Sequence, residues 1–310
     1  MSAILLYSEQ EKLAPELLTA ARLLAGETGS EIKAVVINNE ALAQDLAGRG
    51  AEVSLISDAA ILSADTAAVA SALFQAAEKM DASIILLSSD RRGKELAGRL
   101  AQKLGAGSLA DVSGMKAENG KVQCTRNTLG GATVATQQIE TEKAVIGLAA
   151  RSFEAAPQQA GGNVTELAVA AAVPSVRLIE TRSKAGDTVD LQAAQVLVIV
   201  GQGVEKEDFP VAENIAKLLG GEIACSKPVA TDKKWLPEDR IIGLSGKKCK
   251  PQLAIIFGVS GQVQFTVGIR DASTIVAVNS DENAFMLQMA DYAMVADARQ
   301  VLEELNRALG

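Results

Sequence analysis

Residues 253–279, LAIIFGVSGQVQFTVGIRDASTIVAVN, constrain this chain more than any other stretch. An apolar run, Leu253–Phe257, breaks at Gly258, passes through Val259-Ser260-Gly261 and continues into a segment suited to the start of a helix. A second apolar run, Thr274–Val278, ends at Asn279. Strand, glycine-flanked turn, short helical crossover and strand make the βα arrangement in which a ligand sits beyond the carboxyl ends of parallel strands. Gly258 and Gly261 let the backbone approach a bulky anion, and the N–H groups opening the next helix can receive its phosphates. The turn is shaped for a nucleotide, although a G-x-S-G turn by itself also occurs in crossovers that bind nothing.

The amino-terminal half repeats the same rhythm. Ile4–Tyr7, Glu31–Ile37, Val53–Ile56 and Ser83–Leu87 read as strands. Between them, Pro15–Ala25, Ala41–Ala47 (closed by Gly48) and Thr66–Met80 carry apolar residues at helical spacing. This β-α-β-α-β-α-β order predicts a parallel sheet with helices on both faces. Ser88-Ser89-Asp90-Arg91-Arg92-Gly93-Lys94 leads into another helix ending at Gly105, and its basic start opposes the helix dipole. Either those cations are simply solvated or they meet an acidic partner surface or an anion. Beyond Asp111 the runs shorten: Val112–Lys116, Val122–Thr125, Thr133–Ile139 and Val145–Ala149 read as antiparallel strands extending the sheet, with turns at 118–120 and 129–131. Pro157–Gly162 reads as loop, Val164–Val173 and Val176–Thr181 as further strands, and Ser183–Asp190 as linker. The expected domains are 1–190 and 191–310, which 310 residues readily supply.

Composition removes whole classes of chemistry. There is no histidine, and Cys124, Cys225 and Cys249 share no C-x-x-C spacing. Zinc sites, redox dithiols and histidine-dependent nucleophiles therefore lack their usual residues. A net charge of −8 and 3% aromatic residues disfavour nucleic acid. No run approaches the length needed to span a bilayer and the first residues lack a leader pattern, so a cytoplasmic protein without membrane insertion is expected. Chemistry here falls to carboxylates, lysines, hydroxyls or a bound cofactor.

In the second domain, Val196–Val200 enters Gly201-Gln202-Gly203, and Val211–Leu219 is a helix stopped by Gly220-Gly221. Glu222–Cys225 ends at Ser226-Lys227, and a polar loop with Trp235 and Pro237 runs to Ile241–Lys247. After the 253–279 stretch come Phe285–Met289, a β-run over Tyr292–Val295, Asp297 and a closing helix, Ala298–Leu309. Parallel strands ending at Gly201, Ser226, Ser260, Asn279 and Asp297 bring these positions to one sheet edge, with Ser245 supplied by the inserted loop.

Gly258–Gln264, Ile275–Asn279, Ala290-Asp291-Tyr292, Val295-Ala296-Asp297 and the G-x-[ST]-G-K element Gly243–Lys247 together resemble the alpha subunit of electron-transfer flavoproteins. In the first domain Arg92-Gly93-Lys94-Glu95-Leu96-Ala97, Arg99-Leu100 and Gly130-Gly131 resemble the same family. The resemblance implies two α/β domains, each a mainly parallel sheet flanked by helices. The carboxy-terminal domain would be Rossmann-like and hold FAD, and the amino-terminal one would contact a partner with no cofactor of its own. It also implies a heterodimer with a beta subunit, shuttling electrons between acyl-CoA-type or other dehydrogenases and an acceptor. No catalytic acid or base is then required, so the chain is expected to be a carrier rather than an enzyme, with no metal.

Carried over by position, the cofactor would lie against Gln202, Gly203, Ser226, Lys227, Ile242, Gly243, Leu244, Ser245, Ser260, Gly261, Gln262, Val263, Gln264, Phe265, Asn279, Asp297 and Ala298. Ser260, Gly261 and Gln264 would face the pyrophosphate and ribityl region, Asn279 and Asp297 the adenosine end, and Ser245 and Ser226 the ring. Four positions depart from the family pattern. Gln202 and Lys227 stand where it has arginines, Leu244 where it has glutamine, and Phe265 where it has a histidine near the flavin O2. Lys227 keeps a charge without the planar fork, and Phe265 removes a donor. The other reading is a flavin-free nucleotide-binding or interaction subunit on the same fold. A nicotinamide dehydrogenase fits poorly, because the fingerprint after Val200 is incomplete.

Overall fold

The structure is a computed structural model and describes residues 3–118, 120–131, 133–181 and 189–310. The chain divides into two compact units, Met1–Thr181 and Arg182–Gly310.

Unit 1 runs β1 (Ala3–Tyr7), α1 (Ala14–Thr28), β2 (Glu31–Ile37), α2 (Glu40–Gly48), β3 (Glu52–Ile56), α3 (Thr66–Lys79), β4 (Ala82–Ser88), α4 (Arg91–Leu104), β5 (Gly107–Glu118), β6 (Lys121–Thr128), β7 (Thr133–Gln138), β8 (Ala144–Leu148) and β9 (Asn163–Glu166). They form one nine-stranded sheet in the order β7-β6-β5-β8-β4-β1-β2-β3-β9. Because side chains alternate along a strand, β1 feeds two cores. Ile4 and Leu6 meet Leu17, Leu18 and Leu46 on one face, while Leu5 and Tyr7 meet Val69, Leu73, Leu96 and Leu100 on the other. Each such fully buried side chain contributes about 1.5–3 kcal/mol. Chain order runs outward from β1 through β2 and β3, then returns to β4 on the opposite side of β1, so the sheet's topological switch lies between β1 and β4.

Several expectations need correction. The run at 145–149 is β8, parallel to both β4 and β5; among the described residues of this unit, only β5-β6 and β6-β7 are antiparallel. Helix α2 passes through Gly48, extended by the Arg49–Asp45 pair at 2.9 Å, and the left-handed turn falls at Gly50 with φ 79°. Of the two strands expected over 164–181, only Asn163–Glu166 forms, parallel to β3. Beyond it, side chains of α3 and its cap take up the backbone. Lys79 Nζ donates to the Ala168 carbonyl at 2.5 Å, Gln75 brackets Ala170 through both amide atoms, and Asp65 receives the N–H groups of Ser175 and Val176. With those groups satisfied, no neighbouring strand is required. Asn119 and residues 182–188, including most of the expected linker, lie outside the described residues. At the start of α4, Asp90 caps the helix through Gly93 N–H, Arg92 pairs with Glu9, and Lys94 pairs with Asp111 at 2.7 Å. Two of the three cations are therefore answered within the unit.

Unit 2 runs β10 (Val196–Val200), α5 (Phe209–Leu218), β11 (Glu222–Cys225), α6 (Lys227–Thr231), β12 (Leu253–Phe257), α7 (Val263–Thr266), β13 (Thr274–Asn279), α8 (Phe285–Met289), β14 (Tyr292–Val295) and α9 (Ala298–Leu309). Its five strands are all parallel, in the order β11-β10-β12-β13-β14. Val198 and Val200 face a core with Phe209, Ile215 and Leu302; Leu197 and Ile199 face one with Ile256, Phe265 and Met286. Trp235 anchors its loop by an edge contact to Phe209, ring centroids 5.5 Å apart. All three cysteines are buried; burial pushes the Cys225 thiol up to about 12 and the Cys124 thiol to about 11, so both are uncharged packing groups. Among the described residues, no helix is long and apolar enough to cross a membrane.

Candidate functional site

Every strand of unit 2 delivers its carboxyl end to one rim, and the switch in strand order falls between β10 and β12. There two glycine turns press backbone on backbone. Gly201 N–H donates to Phe257 O at 2.8 Å and Gly203 N–H to Gly258 O at 3.0 Å. A Cβ on Gly258 would stand 2.7 Å from Gly203 Cα, and one on Gly201 would stand 2.2 Å from Gly258 O. The incomplete G-x-G thus acts as a seat for the 258–261 turn. Gly258 and Gly261 have φ of 63° and 87°, the left-handed region that glycine reaches without strain.

The turn's chief property is what it leaves unpaired. Among the described residues, none of the backbone N–H groups from Val259 to Gln264 donates to a protein acceptor; the pairing resumes at Phe265 N–H to Gln262 O. Consecutive unpaired donors at a strand-to-helix turn form a cradle for an anion. Ser260, Gln262, Val263 and Gln264 are exposed on it, and Gly261 is buried against α8.

Neighbouring loops are fastened to this turn. Leu244 N–H donates to Gln264 O at 2.7 Å, and Gly243, with φ 135°, leaves no room for a Cβ, which would lie 2.5 Å from the same carbonyl. The 243–247 turn closes through Gly243 N–H to Lys247 O at 3.1 Å and carries Ser245, exposed, at its tip. Met286 N–H donates to Ser260 O at 3.2 Å. Asn279 Nδ2 donates to Val259 O at 2.9 Å, while its Oδ1 accepts from Asp281 N–H at 3.0 Å.

The expected site residues therefore divide. Ser260–Gln264, Gly243–Ser245, Gln202 and Gly203 stand together at the turn and the loops bonded to it or seated against it. Asn279 spends its amide holding the turn in place. Phe265, Ile242 and Ala298 have side chains packed in the core. Ser226 is nearly buried at the end of β11; Lys227, next to it, is exposed, and its ammonium has no partner among the described residues. Asp297 caps α9 with a single oxygen, Oδ1, which accepts from Arg299 N–H at 3.0 Å and Gln300 N–H at 3.1 Å, leaving Oδ2 for a hydroxyl.

Sequence reasoning passed over Lys233, whose Nζ reaches the Gln202 carbonyl at 3.2 Å and sits 4.0 Å above the Trp235 ring. The signal was the Lys-Lys-Trp run in the loop after α6. It also passed over Met286, which acts through its backbone N–H and so leaves no mark in residue type.

Comparisons with known proteins bear on both units. Residues 7–172 match the family described as "Electron transfer flavoprotein domain" and residues 190–270 match "Electron transfer flavoprotein FAD-binding domain". Protein FixB of Escherichia coli O157:H7 is 33% identical over 320 residues, covering 99% of this chain and 98% of that protein. Protein FixB of Shigella flexneri matches to the same extent. Among solved structures, the spinosyn rhamnosyltransferase SpnG aligns at a TM-score of 0.28 and 14% identity, over all of this chain and 90% of that one, a likeness too slight to bear on fold or function.

Proposed function

Since the chain belongs to the electron transfer flavoprotein family as an alpha subunit, we propose that unit 2 holds one FAD along its rim and that the chain works as half of a heterodimer. The other half is a beta subunit, and the pair carries electrons in the cytoplasm between flavoprotein dehydrogenases and an acceptor. The observation that carries the reading is the run of unpaired N–H groups from Val259 to Gln264 beside a glycine seat that no Cβ fits.

The residues present suit the group. The 259–264 amides receive the diphosphate, where backbone donors need no cation to balance two negative charges. Asp297 Oδ2 accepts from ribose hydroxyls. Ser245, Ser226 and Lys227 border the ring, with Leu244, 65% exposed, offering it an apolar surface. FAD, when bound, supplies all of the electron-accepting and electron-donating chemistry. The chain binds it, orients it and sets its electrostatic surroundings. With Gln202, Lys227 and Phe265 at positions where the family has arginine or histidine, those surroundings offer fewer planar or imidazole donors.

The test is the visible spectrum of the chain co-expressed with its beta subunit, where flavin absorbance in stoichiometric amount is expected. A colourless heterodimer that takes up no added FAD would refute the reading. Within it, Asp297→Ala is expected to weaken FAD retention about tenfold or more, as loss of a charged acceptor does. Asp297→Asn, which keeps an oxygen for the helix cap, isolates the ribose contact from the cap; equilibrium dialysis measures both.

A further inference from the structure

Lys233, in the loop after α6, is fixed in place by two uncharged partners. Its Nζ donates to the main-chain carbonyl of Gln202 at 3.2 Å and stands 4.0 Å from the centre of the Trp235 ring. The adjacent carboxylate, Asp232, accepts instead from Thr231 Oγ1 at 2.8 Å, and among the described residues Lys233 forms no ion pair. A carbonyl and a ring face stabilise an ammonium without cancelling its charge.

Both partners are themselves held. Trp235 N–H donates to Val229 O at 3.0 Å, and its ring meets Phe209 edge-on. Gln202 lies between Gly201 and Gly203, in the turn seated against Gly258 at the switch between β10 and β12. A lysine fixed on both sides gives up rotamer freedom that a solvated one keeps. The result is a positive charge at a set point on the rim.

That point is at one end of the rim. The anion cradle follows β12, and Asp297, the acceptor for the ribose, follows β14. In the order β11-β10-β12-β13-β14, a dinucleotide with its diphosphate on the cradle and its ribose at Asp297 extends its ring toward β10 and β11, where Gln202 and Lys233 stand. The side chain of Gln202 is a neutral amide and Phe265 is apolar, so neither brings charge there.

We propose that Lys233 sets the potential of the electron-carrying reaction: pinned between Gln202 and Trp235, its ammonium places positive charge beside the flavin ring and favours the reduced form. The inference rests on the FAD reading above. Reduction by two electrons from the dehydrogenase and one proton from solvent adds one negative charge to the ring, and a fixed cation stabilises that form more than the neutral oxidised one.

Redox titration of the flavin-loaded heterodimer tests it. Lys233→Gln keeps a donor for the Gln202 carbonyl and loses the charge. It should retain FAD within threefold of wild type and lower the preference for the reduced form about tenfold, a shift of about 30 mV to more negative potential for a two-electron couple. Lys233→Arg, which keeps the charge, should restore most of that shift. Lys234→Gln removes an equal charge from the exposed neighbouring position and should change the preference less than threefold. A colourless heterodimer overturns the FAD reading and this inference with it. Flavin bound to Lys233→Gln at the wild-type potential overturns this inference alone, as does an equal shift in Lys234→Gln or in Lys233→Arg. Loss of flavin from Lys233→Gln also overturns it, by making Lys233 a brace of the turn and not a source of charge.

Discussion

A Gly261→Ala chain is expected to lose flavin retention at least tenfold and to fall in stability by about 2–4 kcal/mol. The position has φ 87°, and a Cβ there would lie 2.2 Å from Met286 N and 2.9 Å from Phe285 C. Both are backbone atoms, so no side chain can swing aside; α8 or the 259–264 turn must move. Moving the turn misaims the unpaired N–H run and breaks the Met286 N–H to Ser260 O bond. Gly220→Ala is the control. It shares a left-handed φ of 64° but has nothing within 4 Å of the added carbon. It should cost only the conformational strain, about 1–2 kcal/mol, and leave flavin content unchanged. Absorbance of the purified heterodimer and urea midpoints read both effects. Equal flavin content in the two variants would show that the 259–264 turn is not the cradle.

The other large effect belongs to Asp65 in unit 1. Its carboxylate is 1% exposed and accepts from Ala67 N–H and Ala68 N–H at 3.1 Å, from Ser175 N–H at 2.7 Å, from Ser175 Oγ at 2.8 Å and from Val176 N–H at 3.2 Å. It thus caps α3 and fastens the segment that crosses that helix. Asp65→Ala removes the cap and strands several buried donors, an expected loss of about 3 kcal/mol. Burial pushes this carboxyl up, but the bonds from Ser175, Ala68 and Val176 outweigh it and hold the group below its ordinary 3.8. A lowered folded-state value means the charged form stabilises the fold above that ordinary value, and the contribution drains away as pH falls through the folded one. The gap in urea midpoint between wild type and Asp65→Ala should therefore be full at pH 7 and narrow only below about pH 4. A gap of equal size at pH 3 and pH 7 would show that the ionised form has no special worth here.

How much of this was legible in the residues varies with what fixes each element. Val196–Val200, Glu222–Cys225 and Leu253–Phe257 were read to the residue, because each is an apolar run cut off by glycine or serine. The parallel arrangement followed from their alternation with helices. The 164–181 region misled because Val164, Leu167 and Val169 have strand-like composition, while the bonds that decide the matter come from Gln75, Lys79 and Asp65, about a hundred positions away. At the rim, glycine positions and the Ser260–Gln264 turn were readable from local pattern. The bracing of Val259 O by the Asn279 amide was not, since residue type does not show which carbonyl a side chain reaches.

The rim's loops are latched to one another, Leu244 to Gln264, Gly203 to Gly258, Met286 to Ser260 and Asn279 to Val259. Ordering them is therefore part of folding unit 2, and a ligand arriving there finds the backbone shape already set instead of having to freeze it. Affinity on such a surface depends on the fit of fixed donors, so a residue that holds one latch acts on binding without touching the ligand.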